Sequence, residues 1–186
     1  MRKILPGVGF ALSLVLLSAG TTTLAGAQVV SRLSLEELAG SSDYIIHGVV
    51  SSVTADWNEE HTLIYTTIDI DLRDQFAGEP LGGALRLRQL GGTVDGIDQA
   101  VLPTLPGYVK GEEVLLFLRS VQGGQLVVSG LTQGKFTVRR DPRAVEARVT
   151  RDWVDGSLAP PASGTDPAGL VGYMEMIRAI RKIAGR

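Results

Sequence analysis

The chain has 186 residues, with 18 basic and 20 acidic side chains and no cysteine. Without cysteine there is no disulfide framework, thiol nucleophile, haem-attachment motif or thiolate zinc site. A formal net charge of −2 argues against a general nucleic-acid or anionic-membrane binder, which is usually strongly basic.

Arg2 and Lys3 precede an apolar run from Ile4 to Leu17, and small and polar residues then lead to Ala25-Gly26-Ala27. This order predicts a secretory signal peptide over 1–27, cut after Ala27. The apolar run contains Pro6 and two glycines and is shorter than the roughly 20 residues a spanning helix needs. The mature chain, from Gln28, would carry 16 basic and 20 acidic residues, a charge of −4. Its length of about 160 residues suits one domain. An exported domain without cysteine fits a bacterial periplasmic or secreted protein better than a disulfide-stapled eukaryotic module.

Ser34 predicts the N-cap of a short helix over Leu35 to Leu38, with Glu37 completing a capping box. Tyr44 to Thr54 is rich in Ile and Val and predicts a strand, with Gly48 as a bulge. A turn over Trp57 to Glu60 leads to Thr62–Leu72, where Ile64, Ile68, Ile70 and Leu72 alternate with Tyr65, Thr67, Asp69 and Asp71. That period of two predicts a half-buried strand. Leu85 and Leu87 alternate with Arg86 and Arg88, and the continuous run Val114 to Leu118 predicts a central strand. Gln122-Gly123-Gly124 turns the chain into Leu126 to Val128. Phe136 and Val138, then Val145, Ala147 and Val149, alternate with polar residues. The pattern predicts a mainly β fold: a small antiparallel OB-like barrel, or alternatively a β-sandwich, over 28–152.

Gly91 to Gly111 has no strand pattern and reads as a long loop, of a length that is often functional. Residues 153–168 are rich in Pro, Gly, Ala and Ser and read as a flexible linker. An amphipathic helix follows over 169–186, with Asp166 as N-cap, Pro167 as first position and Leu170, Tyr173, Met174, Ile177 and Ile180 as its apolar stripe.

Few residues suggest chemistry. His47 and His61 are the only histidines, and His47 sits in an apolar strand where a satisfied core or edge role is the plainer reading. Asp69, Asp71 and Asp74, and separately Asp95 and Asp98, gather oxygen ligands without forming a calcium-loop motif, so a solvated face is the plainer reading. No G-x-S-x-G elbow is present. Lys135, Arg139, Arg140, Arg143, Arg148 and Arg151 gather near the last strands, as a contact for an acidic partner or as protection of a sheet edge. No catalytic residue, metal site or cofactor is expected.

Ser42-Asp43-Tyr44-Ile45-Ile46-His47-Gly48-Val49-Val50 resembles the opening of a family of exported bacterial proteins of unknown function. The resemblance continues through Ile64–Thr66, Arg88–Gly92, Lys110–Leu118 and Gly130–Phe136, spanning about residues 35 to 140. The order of elements is also similar to the OB-like barrel of netrin and tissue-inhibitor-of-metalloprotease domains. Those inhibitors chelate zinc through an N-terminal cysteine, which this chain does not have. The resemblance implies a barrel and protein binding, and no catalytic residues. Gln89, Gly91, Gly92, Gln133, Gly134 and Lys135 are its matched positions and the candidate contact residues.

The resulting expectation is an exported, non-catalytic binding domain whose ligand is a protein or polymer, with the Gly91–Gly111 loop and Gln133–Phe136 as contact surface. An exported protein is the expected partner, with no nucleic acid and no membrane span in the mature chain. One alternative is a hydrolase-type enzyme in which Asp69, Asp71, Asp95 or Asp98 converges with His61. Another is a structural envelope component.

Overall fold

Ser34 begins the folded chain as its sequence predicts. Its side chain accepts from the Glu37 N–H, and the Glu37 carboxylate accepts from the Ser34 N–H. This box caps helix α1 (Leu35–Gly40), which buries Leu35 and Leu38 completely. The computed structural model describes residues 32–99, 105–151, 161, 163–169 and 172–185. The expected signal peptide and cleavage site, and much of the expected linker, lie outside the described residues.

Nine strands follow among the described residues. They are β1 (Tyr44–Trp57), β2 (Ile64–Ala77), β3 (Ala84–Leu90), β4 (Gly92–Val94), β5 (Ile97–Gln99), β6 (Glu113–Ser120), β7 (Leu126–Val128), β8 (Lys135–Arg139) and β9 (Arg148–Thr150). Helix α2 (Tyr173–Ala184) closes the order. The main sheet runs β3-β2-β1-β6-β8-β9, and β7 pairs with β6 beyond the end of β8. Every ladder is antiparallel. The fold is mainly β with two helices, as expected. The sheet is not closed, and the barrel and sandwich descriptions apply to it equally.

Side-chain alternation explains how one sheet carries two cores. In β6, Leu115 and Phe117 join Ile45, Phe136 and Val138, a cluster covered by Leu35 and Leu38 of α1 and Met176, Ile177 and Ile180 of α2. Val114, Leu116 and Leu118 join Ile46, Ile68, Ile70, Leu85, Leu87 and Leu126 on the other side. Burial on both faces is why β6 reads as a continuous apolar run.

Gly48 marks a register shift between β1 and β2, and a Cβ there would lie 2.7 Å from the Asp71 carbonyl oxygen. Both long strands outrun their sequence patterns. The turn between them spans 58–63, where Asn58 Oδ1 accepts from the N–H groups of Thr62 and Leu63. That side chain replaces backbone pairing and lets the hairpin start later than Thr62.

Two expectations change. The Gly91–Gly111 stretch is not a plain loop, because β4 and β5 form a small hairpin inside it. Asp95 and Gly96 both have positive φ, 52° and 78°, as a tight two-residue hairpin turn requires. Helix α2 starts at Tyr173 instead of after Asp166. Asp166 accepts from Ala168 N–H within the short 3-10 turn Pro167–Gly169, so the cap signal serves that turn. Met174 is then 47% exposed and Met176 takes the buried place.

The described part of the expected linker is tied down. Thr165 accepts from Leu35 N–H and donates from its own N–H and hydroxyl to Glu36, and Arg32 pairs with Asp166.

Candidate functional site

Strand β3 ends the sheet on one side, and β7 fills only the last part of the β6 edge. A slot lies between them. It has a volume of about 280 Å³. Leu87 and Leu90 of β3, Leu126 and Val128 of β7, Pro106 and Tyr108 are among the residues that line it. The Gln125 side-chain amide bridges one end of the gap, its Nε2 donating to the Arg88 carbonyl at 3.1 Å.

The slot is largely apolar, with Arg88, Gln89 and Arg119 also on its lining. The Tyr108 hydroxyl is buried without a hydrogen-bond partner. Burial, and behind it the Glu112 carboxylate, pushes its pKa far above the ordinary tyrosine value, so it remains a donor. Tyr108 packs against the sheet core, with the Lys135 ammonium 5.1 Å from its ring centre. Leu90 and Leu131 stand 43% and 50% exposed on the slot lining. Leu131 has φ 61°, a left-handed conformation that costs a non-glycine residue about 1–2 kcal/mol. Strain and an exposed apolar side chain at one position are features of contact sites.

The matched positions divide into two groups. Gln89 donates to the Pro106 carbonyl and helps line the slot. Gly91 and Gly92 have φ of 101° and 143°, and a Cβ on Gly92 would lie 2.7 Å from Thr66 Oγ1. They let the chain leave β3 and enter the β4–β5 hairpin. Gln133, Gly134 and Lys135 are buried and serve the scaffold. Gln133 accepts from Leu33 N–H, and a Cβ on Gly134 would lie 2.3 Å from the Ser129 carbonyl oxygen. Lys135 Nζ lies 2.6 Å from Glu112 Oε1.

A second polar group forms under α2. His47 Nε2 is 2.7 Å from Glu113 Oε1, and Nδ1 is 3.2 Å from both Asp74 Oδ2 and the Tyr173 hydroxyl. Arg140 closes on Glu113 from outside. Burial works upward on the Glu113 pKa, but hydrogen bonds from Arg140 and His47 outweigh it and hold the group below the ordinary glutamate value. Burial, with Asp74 and Glu113 nearby, raises the Tyr173 pKa. His47 is thus a buried, satisfied histidine that pins α2 to the sheet.

The other candidate acids go separate ways. Asp69 is held by Arg86 and Ser52, whose hydrogen bonds lower its pKa. Asp98 accepts from Thr93, while Asp71, Asp95 and His61 are exposed. Among the described residues no group of three His, Cys, Asp or Glu side chains is placed to hold a metal ion.

Nor do the basic residues of the last strands form one patch. Lys135 turns inward to Glu112, Arg140 engages Glu113, and Arg151 lies over the Phe136 ring at 4.8 Å. Only Lys135 belongs to the buried strand β8; Arg140 lies just past its end and Arg151 just past β9, so the three start from different places in the fold. All three guanidinium nitrogens of Arg151 are buried without a hydrogen bond, and burial lowers its pKa to about 10.

Compared with protein-family models, curated proteins and solved structures, the chain shows no match.

Proposed function

We propose that the protein is an exported, non-catalytic binding domain, periplasmic or secreted, that receives an apolar group of its ligand in the slot between β3 and β7. The observation that carries this reading is an apolar slot of about 280 Å³ between two unpaired stretches of sheet edge, with exposed Leu90 and Leu131 on its lining. Binding sites are concave and mostly apolar, with a few polar groups that orient the ligand. The Gly91–Gly111 region contributes Pro106 and Tyr108 to this surface, while Gln133–Phe136 supports it from inside. The family resemblance to exported bacterial proteins, and the weaker one to OB-like inhibitory domains, supports a binding role through fold likeness only.

The test is capture of envelope and culture-medium components on immobilised chain from Gln28, against a Leu90→Asp/Leu131→Asp variant. Both side chains are partly exposed, so the variant is expected to fold. A stoichiometric partner lost with the variant supports the slot. Equal capture by the folded variant refutes it.

A further inference from the structure

We propose that the slot takes a short single-chain amphiphile with an oxyanion head, its apolar tail inside and its head at a mouth formed by Arg88 and Arg119. This inference rests on the slot being a binding site, as argued above, and adds the class of its ligand.

Side-chain alternation gives the slot two unlike ends. Leu87 of β3 and Leu118 of β6 belong to the same core cluster. Their neighbours Arg88 and Arg119 therefore point away from that core, and both are exposed. Leu126 and Val128 pack with Leu87 on the inner side. The lining is thus apolar toward the core and cationic toward water.

Charge decides the sign of the ligand's head. The lining holds these two arginines and no acidic residue, in a chain whose formal net charge is −2. Among the described residues neither guanidinium forms an ion pair. Arg88 lies 3.8 Å from the Tyr65 ring centre, a contact that orients the group without neutralising it. A guanidinium presents its N–H groups as a fork that matches two oxygens of one anion.

Size and edge chemistry favour a small molecule over a peptide. A space of about 280 Å³ holds roughly nine water-sized volumes at about 30 Å³ each, which matches a ligand of about ten non-hydrogen atoms. A peptide strand added to β3 would pair with its outward carbonyls. One of these, that of Arg88, is already taken by the Gln125 amide.

The experiment titrates the chain from Gln28, which holds every described residue, with octanoate, octanol and octylammonium, by calorimetry and by methyl shifts of Leu126 and Val128. The proposal expects saturable octanoate binding with shifts at both residues, weakened about three- to tenfold in Arg88→Gln/Arg119→Gln. Octanol should bind more weakly and be unaffected by that change, and octylammonium should not bind. Both arginines are exposed, so the variant is expected to keep its fold, which its ligand-free methyl spectrum checks. Equal binding of octanoate and octanol, indifferent to the variant, overturns the ligand class and leaves the slot reading standing. Octanoate binding that the variant weakens but that leaves Leu126 and Val128 unshifted puts the anion on the surface and overturns the proposal. No binding of any probe also overturns it, and the capture experiment then decides the slot reading on its own.

Discussion

Lys135 and Glu112 form an ion pair inside the sheet, 2.6 Å apart, with side chains only 2% and 12% exposed. Thr137 donates to the same carboxylate oxygen, and the Val109 N–H to the other. Two groups that water would solvate well are instead held by each other.

Removing one partner should therefore cost far more than removing both charges. Lys135→Met leaves Glu112 buried and unpaired, with an expected loss of about 3–5 kcal/mol. The double variant Lys135→Met/Glu112→Gln keeps an amide oxygen to accept from the Val109 N–H and an amide NH2 that can donate to the Thr137 hydroxyl, and should recover most of that loss. Urea unfolding of the four species of this cycle measures the coupling. Additive effects would mean the pair is solvated and unimportant.

Arg151 is predicted to respond in the opposite direction. Its guanidinium is buried with no hydrogen bond, and the contact with Phe136 offsets only part of the desolvation cost. Its folded pKa of about 10 lies below the ordinary 12.5, so the charged form is penalised at every pH below that value. Arg151→Met should stabilise the domain by about 1 kcal/mol, raising Tm by a few degrees. A clear drop in Tm would show that the charge is used.

Acid should loosen the attachment of the chain's last elements. The folded pKa of Glu113 lies below the ordinary 4.5, and that of Asp166 below the ordinary 3.8. For Asp166, burial works upward but the Ala168 N–H, Arg32 and Arg151 outweigh it. Groups depressed in this way contribute stability that is complete above the unfolded-state pKa and is lost as pH falls through the folded one. Thermal melts should thus be flat from pH 7 to about 5 and fall below that. Glu113→Gln combined with Asp166→Asn should start less stable at pH 7 and show a shallower fall.

Gly134→Ala tests shape alone. Gly134 is outside the set of positive-φ glycines, so its conformation admits a side chain. The obstacle is the Ser129 carbonyl, 2.3 Å from the new Cβ, with the Phe117 carbonyl at 3.1 Å. Backbone cannot rotate aside, and a loss of about 1–3 kcal/mol is expected in chemical unfolding. By contrast, Gly123→Ala meets no atom within 4 Å and costs only what its φ of +86° imposes.

The sheet was legible where one physical pattern acted alone. Ile64, Ile68 and Ile70 alternate because one face of β2 is buried, and Val114–Leu118 is continuous because both faces of β6 are. Competing signals misled at two places. Asp166-Pro167 is a true cap, but of a short turn; Asp95-Gly96 is a true hairpin turn, but its strands, β4 and β5, are too short to show a period. The polar groups were not legible at all. His47 meets Asp74, Glu113 and Tyr173 across sequence separations of 27, 66 and 126 residues, and only the strand register decides such meetings. Tyr108 carried no sequence signal either, since an orphaned hydroxyl is defined by what fails to reach it.

The tie between Thr165 and the start of α1 has a mechanical consequence. Leu35 N–H, Glu36 and Arg32 on one side face Thr165 and Asp166 on the other, joining the first described segment of the chain to the one that precedes α2. A pull applied at residues 32 and 169 would load this short clasp before any strand ladder felt tension. The clasp should then open as a first, separate yield, at a force well below that needed to shear β1 from β6.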